Sequence, residues 1–454
     1  MTKKSNEIVI LIAGILFSVF AVMAFPKFYF SLDIEVFWKW AHFWGKSWRD
    51  IYIACSDCNY PIVGMFSSAG VLSMLESLGQ EKALYIYRLF LAIVDGLNVL
   101  LVYWILKKLA VKRAAYWAGI LGISISSWAG GALWVQIDGI GQFFLLLSLA
   151  WMVHVNTGEP LPTKKFRLYL ITSGFLLGVV LLTKQLTVFS AVPLGMLLAA
   201  NIIFHTRQWK LFLLDAGLAL APFLFTIFAA DPFLNLKQPY FSHLYYIWKE
   251  GSSHSKIISG NGFNIWMFLG RDMWSSSHVP IISNLPALTP FNIGMALFIF
   301  FTGLATLSLM FLLKERFSQG ERFLNPNVLL NLIYYMALVN LCFNVFMTGT
   351  HERYLYHFYP YILIAVAGLA SSSQVFSQKL LATLVMGASL YGIFIIQIMT
   401  RIDFNISYLS HWLMGIFHLG LFGWLIIIIL KYQNFSGVFA AIFKKNTKSL
   451  PTVR

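Results

Sequence analysis

Charge is what this chain has least of. Asp, Glu, Lys and Arg make up 11% of the 454 residues, against 59% hydrophobic residues, and the mean hydropathy is +0.73. So little polar surface cannot cover a water-soluble globule of this length, which excludes a soluble protein. Glycine-rich phosphate loops and the dinucleotide-binding glycine fingerprint are missing, and the segments between apolar runs on one side are too short to house a nucleotide-binding domain. No internal repeat is visible, so the inverted symmetry of many secondary transporters has no support. Cysteine is scarce as well, with three in all. Cys55-Ser56-Asp57-Cys58 has CxxC spacing, but no second ligand pair follows and Cys342 lies inside an apolar run. A local disulfide or two free thiols is therefore favoured over a metal site.

What the chain does have is runs of about twenty apolar residues from end to end, each long enough to cross about 30 Å of hydrocarbon as a helix. Spans are expected near 8–26, 89–106, 114–130, 133–154, 168–183, 186–204, 211–230, 291–313, 327–348, 355–370, 380–398 and 408–430. The fold class is an all-α polytopic membrane helical bundle. No interval of soluble-domain size separates the spans, so 1–454 reads as one integral membrane domain, with 1–230 as a catalytic module and 231–454 as an acceptor- or carrier-binding module. The basic start and apolar core of residues 1–26 also fit a signal peptide, with Val22-Met23-Ala24 as a loose cleavage site; a retained first span is the expectation.

The formal charge of +15 raises nucleic acid as a partner, but placement favours orientation instead. With Met1 cytoplasmic, Lys107, Lys108, Lys112 and Arg113, then Lys164, Lys165 and Arg167, then Arg207 and Lys210, then Lys314, Arg316 and Arg322, then Lys379, fall on the cytoplasmic side. Lys431, Lys444, Lys445, Lys448 and Arg454 follow on the same side, whereas the short outer loops hold only Lys184, Arg353 and Arg401. Both termini are expected in the cytoplasm, and no nucleic acid is expected as a partner.

Two outer loops are long, about 27–88 and 231–290, and both are rich in Trp, Tyr and Phe. In the first, Phe37, Trp40, Trp44 and Trp48 recur at helical spacing, which suits either an interfacial amphipathic helix or a helix packed on the protein. Asp33 and Glu35 precede it, just where the first span leaves the lipid. A carboxylate there is partly desolvated yet reachable by water. The topology brings other polar residues to the same side: Asn59-Tyr60-Pro61, Trp134 with Gln136 and Asp138, Lys184, Asn264 with Trp266, and His351-Glu352-Arg353-Tyr354. Such groups are costly at span ends unless paired or bound to something.

In these residues the chain resembles the C-type membrane glycosyltransferases that use polyprenyl-phosphate sugars, especially bacterial relatives of the GPI and lipid-linked-oligosaccharide mannosyl- and glucosyltransferases. The resemblance runs over nearly the whole chain, and His351-Glu352-Arg353-Tyr354 is its most specific part. Pro61 followed by Ile62 departs from it, since relatives often carry a second proline there. The resemblance implies transfer of a hexose, mannose favoured, from a polyprenyl-phosphate carrier to a lipid, glycan or protein acceptor at the extracytoplasmic face of a bacterial inner membrane. Asp33 is then the general base, with Glu35 as support or alternative base.

Attack by a hydroxyl on an anomeric carbon needs a base for its proton and a cation for the departing phosphate. Arg353 and Lys184 suit the phosphate, with His351 as a further donor. Neutralisation of Glu352, Asp138 or Glu35 in a buried network is the alternative for each. Tyr60, Trp134 and Trp266 can stack on a sugar or anchor at the interface; Gln136, Asp138, Asn264, Glu352 and Tyr354 complete the expected binding set. No cofactor is expected, and a divalent metal held by Asp33, Glu35 and Asp138 is not favoured. Asp95, inside the second span, marks either function or a bond to a neighbouring helix. The competing class is a transporter or lipid flippase, which would carry its polar groups near the bilayer midplane rather than at span ends.

Overall fold

The computed structural model describes all residues except 1–2, 30, 56, 158–160, 207, 231–246, 248–254, 319–324, 371–377, 401–403 and 433–454. Arg207, Arg322, Arg401, Lys444, Lys445, Lys448 and Arg454, and the early part of the second outer loop, lie outside the described residues.

The first span is α1 (Lys3–Ala24), and the aromatic segment after it is α2 (Ser31–Lys46). The remaining expected spans appear as α3 (Gln80–Lys108), α4 (Ala114–Ile123), α5 (Asp138–Asn156), α6 (Thr163–Leu181), α7 (Val188–Thr206) and α8 (Trp209–Ala229). After the second loop come α9 (Pro290–Ser318), α10 (Pro326–Phe346), α11 (Phe358–Leu369), α12 (Gln378–Thr400) and α13 (Phe404–Tyr432). Among the described residues, nine helices are long and apolar enough to cross a membrane. The chain is thus an all-α, multi-pass membrane protein.

The exceptions among the twelve expected spans are α4, α6 and α11, each for a local reason. In α6 the first turns carry Lys164, Lys165 and Arg167. α4 stops at Ile123 because Ser124, Ser126 and Ser127 follow, whose hydroxyls compete for backbone groups: Ser127 Oγ donates to the Leu121 carbonyl, and Ser124 Oγ pairs with Ser126 Oγ at 3.0 Å. The chain then makes a wide turn over Ala129–Leu133 before α5. α11 is short because residues Glu352–His357 form a tighter helical turn ahead of it.

Helix ends follow local chemistry. Gly79 takes φ +83° ahead of α3, and Asn325 accepts from Val328 N at 3.0 Å with proline at the first helical position of α10. α10 and α11 are almost wholly buried on every face, which places them at the centre of the bundle. α1 meets α4 through small residues: a Cβ on Gly119 would lie 2.4 Å from the Ile10 carbonyl oxygen, and one on Gly122 would lie 2.5 Å from that of Gly14.

A second, smaller core lies under the first outer loop. There Ile34, Phe37 and Trp40 of α2 pack with Ile51, Met65, Leu72, Tyr87 and Ile137. α2 therefore packs on the protein through Phe37 and Trp40, while Trp48, just past its end, is exposed.

Candidate active site

One end of the bundle collects the C-terminal ends of α1, α6 and α10 and the N-terminal ends of α2, α5, α7 and α11. Between them is a cavity of about 360 Å³. Its lining comes from both halves of the sequence: Asp33, Phe37, Trp40, Asp57, Asn59, Tyr60, Gln136, Lys184 and Gln185 on one side, and Ser255, Phe343, Met347, Thr348, Gly349, Arg353 and Tyr354 on the other.

Asp33 sits in the first turn of α2. Its Oδ2 accepts from Trp134 Nε1 at 2.6 Å and from Gln136 Nε2. Gln136 Oε1 in turn accepts from the Tyr60 hydroxyl at 3.1 Å, and Tyr52 holds the Tyr60 carbonyl at 2.6 Å. Two donors on one oxygen orient the carboxylate. Oδ1 has no hydrogen bond among the described residues and belongs to a side chain that lines the cavity. Glu35, two positions along the same helix, is exposed and does not line the cavity. A step of two residues turns about 200° around a helix, so only one of the two carboxylates can face inward.

The cationic side is built by Lys184 and Arg353. Lys184 is buried and pairs with Asp138 Oδ2 at 2.6 Å, its ammonium lying 5.4 Å from the centre of the Tyr60 ring. Burial lowers its pKa, and Asp138 opposes that shift. Arg353 lies 3.6 Å from Glu352 Oε1, and its guanidinium stands 5.8 Å from the Trp134 ring. Burial works against the Arg353 charge, but Asp33 and Glu352 outweigh it and the pKa is raised. Arg353 Nε finds no partner among the described residues. Burial pushes Glu352 up to about 7 against the pull of Arg353, and it pushes the Tyr354 phenol up to about 12.

Six of the expected site residues thus line one cavity: Asp33, Tyr60, Gln136, Lys184, Arg353 and Tyr354. Trp134, Asp138 and Glu352 stand directly behind them, as holders of Asp33, Lys184 and Arg353. Asn264, Trp266 and His351 are not among the residues that line the cavity. Asn264 Nδ2 donates to the Ile258 and Met347 carbonyls at 3.1 Å and to Thr350 Oγ1 at 3.0 Å, and Trp266 Nε1 donates to the Phe346 carbonyl at 2.6 Å. Both are buried and tie the second loop to the end of α10 because their polar atoms satisfy backbone carbonyls there. The His351 ring packs against Gly260 and the edge of Tyr354, outside the lining.

Cys55 and Cys58 form a disulfide, so the thiol alternative is set aside. The bridge sits beside Asp57, Asn59 and Tyr60, and Asp57 pairs with Lys39 at 3.0 Å. Pro61 precedes a short helix, Ile62–Met65. Gly64 there meets the loop that carries Lys184: its N–H donates to the Leu182 carbonyl at 3.1 Å, and a Cβ would fall 2.0 Å from the Thr183 carbonyl oxygen.

Two buried charges in α3 support the site from beneath. Asp95 bonds neighbouring helices: it accepts from Ser18 Oγ at 2.9 Å, Tyr356 OH at 3.0 Å and Ala132 N at 3.2 Å. Arg88, which no sequence motif singles out, donates to the carbonyls of Pro26 at 2.5 Å, Phe28 at 2.9 Å and Phe25 at 3.1 Å, and to that of Ala132 at 3.4 Å. The two residues lie seven apart, two turns on one helix face, and grip Ala132 by both its backbone groups. Arg88 thereby joins the segment before Asp33 to the segment before Trp134 and Gln136. The sequence places Arg88 one residue before an expected span; only the structure, in which the helix begins at Gln80, brings it inside.

Residues 62–245 match the family model of the dolichyl-phosphate-mannose-protein mannosyltransferases. The matched segment contains Trp134, Gln136, Asp138 and Lys184, and it agrees with the resemblance to C-type polyprenyl-phosphate-sugar enzymes. The match supports a glycosyltransferase. No curated protein sequence matches the chain.

Proposed function

We propose that this protein transfers a hexose, mannose first among the candidates, from a polyprenyl-phosphate carrier to an acceptor hydroxyl, with inversion and with Asp33 as general base. The observation that carries this reading is the shared cavity, lined by a carboxylate held by two donors together with a buried lysine and a partly buried arginine. The acceptor oxygen attacks the anomeric carbon while its proton passes to Asp33 Oδ1. The bond from that carbon to the phosphate oxygen breaks on the opposite side, and its electron pair stays on the phosphate. Arg353 and Lys184 stabilise the growing negative charge, Arg353 through a planar fork and Lys184 as a point charge. Inversion is the outcome of such a single displacement, in which the acceptor attacks from the face opposite the departing phosphate.

The aromatic faces of Tyr60 and Tyr354 suit the apolar faces of a sugar ring. Glu35, outside the cavity lining, has no part in the reading. Cation charge for the phosphate comes from arginine and lysine, so the reaction as read uses no metal or organic cofactor. A donor borne by a lipid also agrees with a sequence in which no glycine-rich phosphate loop or dinucleotide fingerprint appears. The division of labour follows the cavity walls: residues 1–230 supply the base and Lys184, and residues 231–454 supply Arg353 and the wall from Phe343 to Gly349. The bias of Lys and Arg supports cytoplasmic termini and a cavity on the extracytoplasmic face; the bacterial inner membrane follows from the resemblance to bacterial enzymes. The matched family's description names a protein acceptor; a lipid or glycan hydroxyl meets the same chemical requirement.

The test is transfer of radiolabelled sugar from polyprenyl-phosphate-mannose, with the glucose analogue in parallel, by the purified protein reconstituted in lipid. Appearance of label in an acceptor, lost in Arg353→Ala, is the expected result. Movement of intact carrier across the bilayer without cleavage of the glycosyl bond would instead identify a flippase.

A further inference from the structure

Behind the cavity, three buried polar atoms lack partners among the described residues: Asp138 Oδ1, His357 Nε2 and Gln142 Nε2. The first two lie 3.8 Å apart, between side chains that are wholly enclosed. On the other edge of the imidazole, Nδ1 is 2.6 Å from Gln142 Oε1. Turning the Gln142 amide over lets its Nε2 donate to Nδ1, which puts the single ring proton on Nε2, the nitrogen facing Asp138. The rotation gives Gln142 Nε2 an acceptor and turns a ring N–H toward Asp138 Oδ1 across the 3.8 Å gap. The second oxygen of Asp138 holds Lys184, whose side chain lines the cavity.

Lys184 cannot serve two anions equally. A phosphate entering the cavity competes with Asp138 for the ammonium, and a carboxylate as buried as Asp138 is expensive to leave without a donor. We propose that His357 is a positioning residue that takes over Asp138 when Lys184 turns to the phosphate of a prenyl-phosphate ligand. Gln142 orients the ring, the 3.8 Å gap closes to a hydrogen bond as the Lys184 contact lengthens, and Asp138 stays satisfied in both states. The other charged groups around the phosphate are Asp33, Glu352 and Arg353, none of which bonds to Asp138 in the described contacts. This inference rests on the reading of Lys184 as a phosphate ligand.

The experiment is titration of the full-length protein in detergent with farnesyl phosphate, followed by tryptophan fluorescence, with farnesol as the uncharged control. His357→Phe keeps a ring and removes both nitrogens. It should weaken farnesyl phosphate about tenfold and leave farnesol unchanged, a loss near that of one hydrogen bond to a charge. In an Asp138→Asn background no carboxylate needs compensation, so the same change should cost less than about twofold. Equal losses in both backgrounds, or parallel loss of farnesol, would overturn the inference. Should His357→Phe fail to fold, Gln142→Leu takes its place, with a weaker but equally Asp138-dependent loss expected and an unchanged affinity counting against us. Wild-type protein that ignores farnesyl phosphate, or binds it equally well as Lys184→Met, would overturn the phosphate reading itself; weakening by Lys184→Met but not by His357→Phe would overturn only the role of His357.

Discussion

Replacing Asp33 by Asn removes a base while keeping nearly every contact of the side chain. Its Oδ2 accepts from Trp134 and Gln136, and the carbonyl oxygen of Asn can occupy that position with its amide nitrogen where Oδ1 stood. Both hydrogen bonds persist as neutral rather than charge-assisted contacts, a loss of about 1–3 kcal/mol over the pair. Catalysis suffers far more. Loss of a general base costs about 10²–10⁴ in turnover, or about 3–5 kcal/mol of barrier. Asp33→Ala loses the base too, but it also strips two donors of their acceptor and should unfold at clearly lower temperature than Asp33→Asn. The assay pairs sugar transfer from polyprenyl-phosphate-mannose with thermal unfolding of the same preparations. The two variants should be equally slow and unequally stable. Folded Asp33→Asn that retains turnover within about tenfold of wild type would refute Asp33 as base.

Glu352 makes stability depend on pH. Burial raises its pKa from 4.5 to about 7, so the folded protein keeps a proton that the unfolded chain releases between those values; stability should fall by about 3 kcal/mol as pH rises through that window and then level off. Thermal unfolding between pH 4.5 and 8 should show that slope in wild type and a flatter one in Glu352→Gln, and equal slopes would exclude Glu352 as the cause. Gly64→Ala should destabilise by about 1–3 kcal/mol and raise the KM for the carrier, because the new methyl lies 2.0 Å from the carbonyl oxygen next to Lys184; an unchanged melting temperature and KM would show that this loop yields freely. Arg88→Met should cost about 1–3 kcal/mol, since it leaves four carbonyls, that of Ala132 in the core, without their donor. Unfolding in detergent measures it, and a loss under about 1 kcal/mol would mean that water replaces the guanidinium.

Hydropathy is a local property, and what depends on it could be read from the chain. A helix lies under each of the twelve expected spans, and nine of these are long and apolar enough among the described residues to cross a membrane, because apolar length is readable from the chain. The early stop of α4 had a sign in its serines, and the inward face of α2 in the spacing of Phe37 and Trp40. Which polar residue faces the cavity was another matter. Asp33 and Glu35 are equivalent in sequence, and only the rotation of α2 on its neighbours separates them. Asn264 and Trp266 look like ligands until the carbonyls of residues 346 and 347 come within their reach. Arg88, Asp95 and Ala132 form one clamp across 44 residues of chain, and His357 meets Gln142 across 215. Such pairings depend on the rotation and depth of each helix against the others, which are set by close packing over the whole bundle rather than by any stretch of sequence.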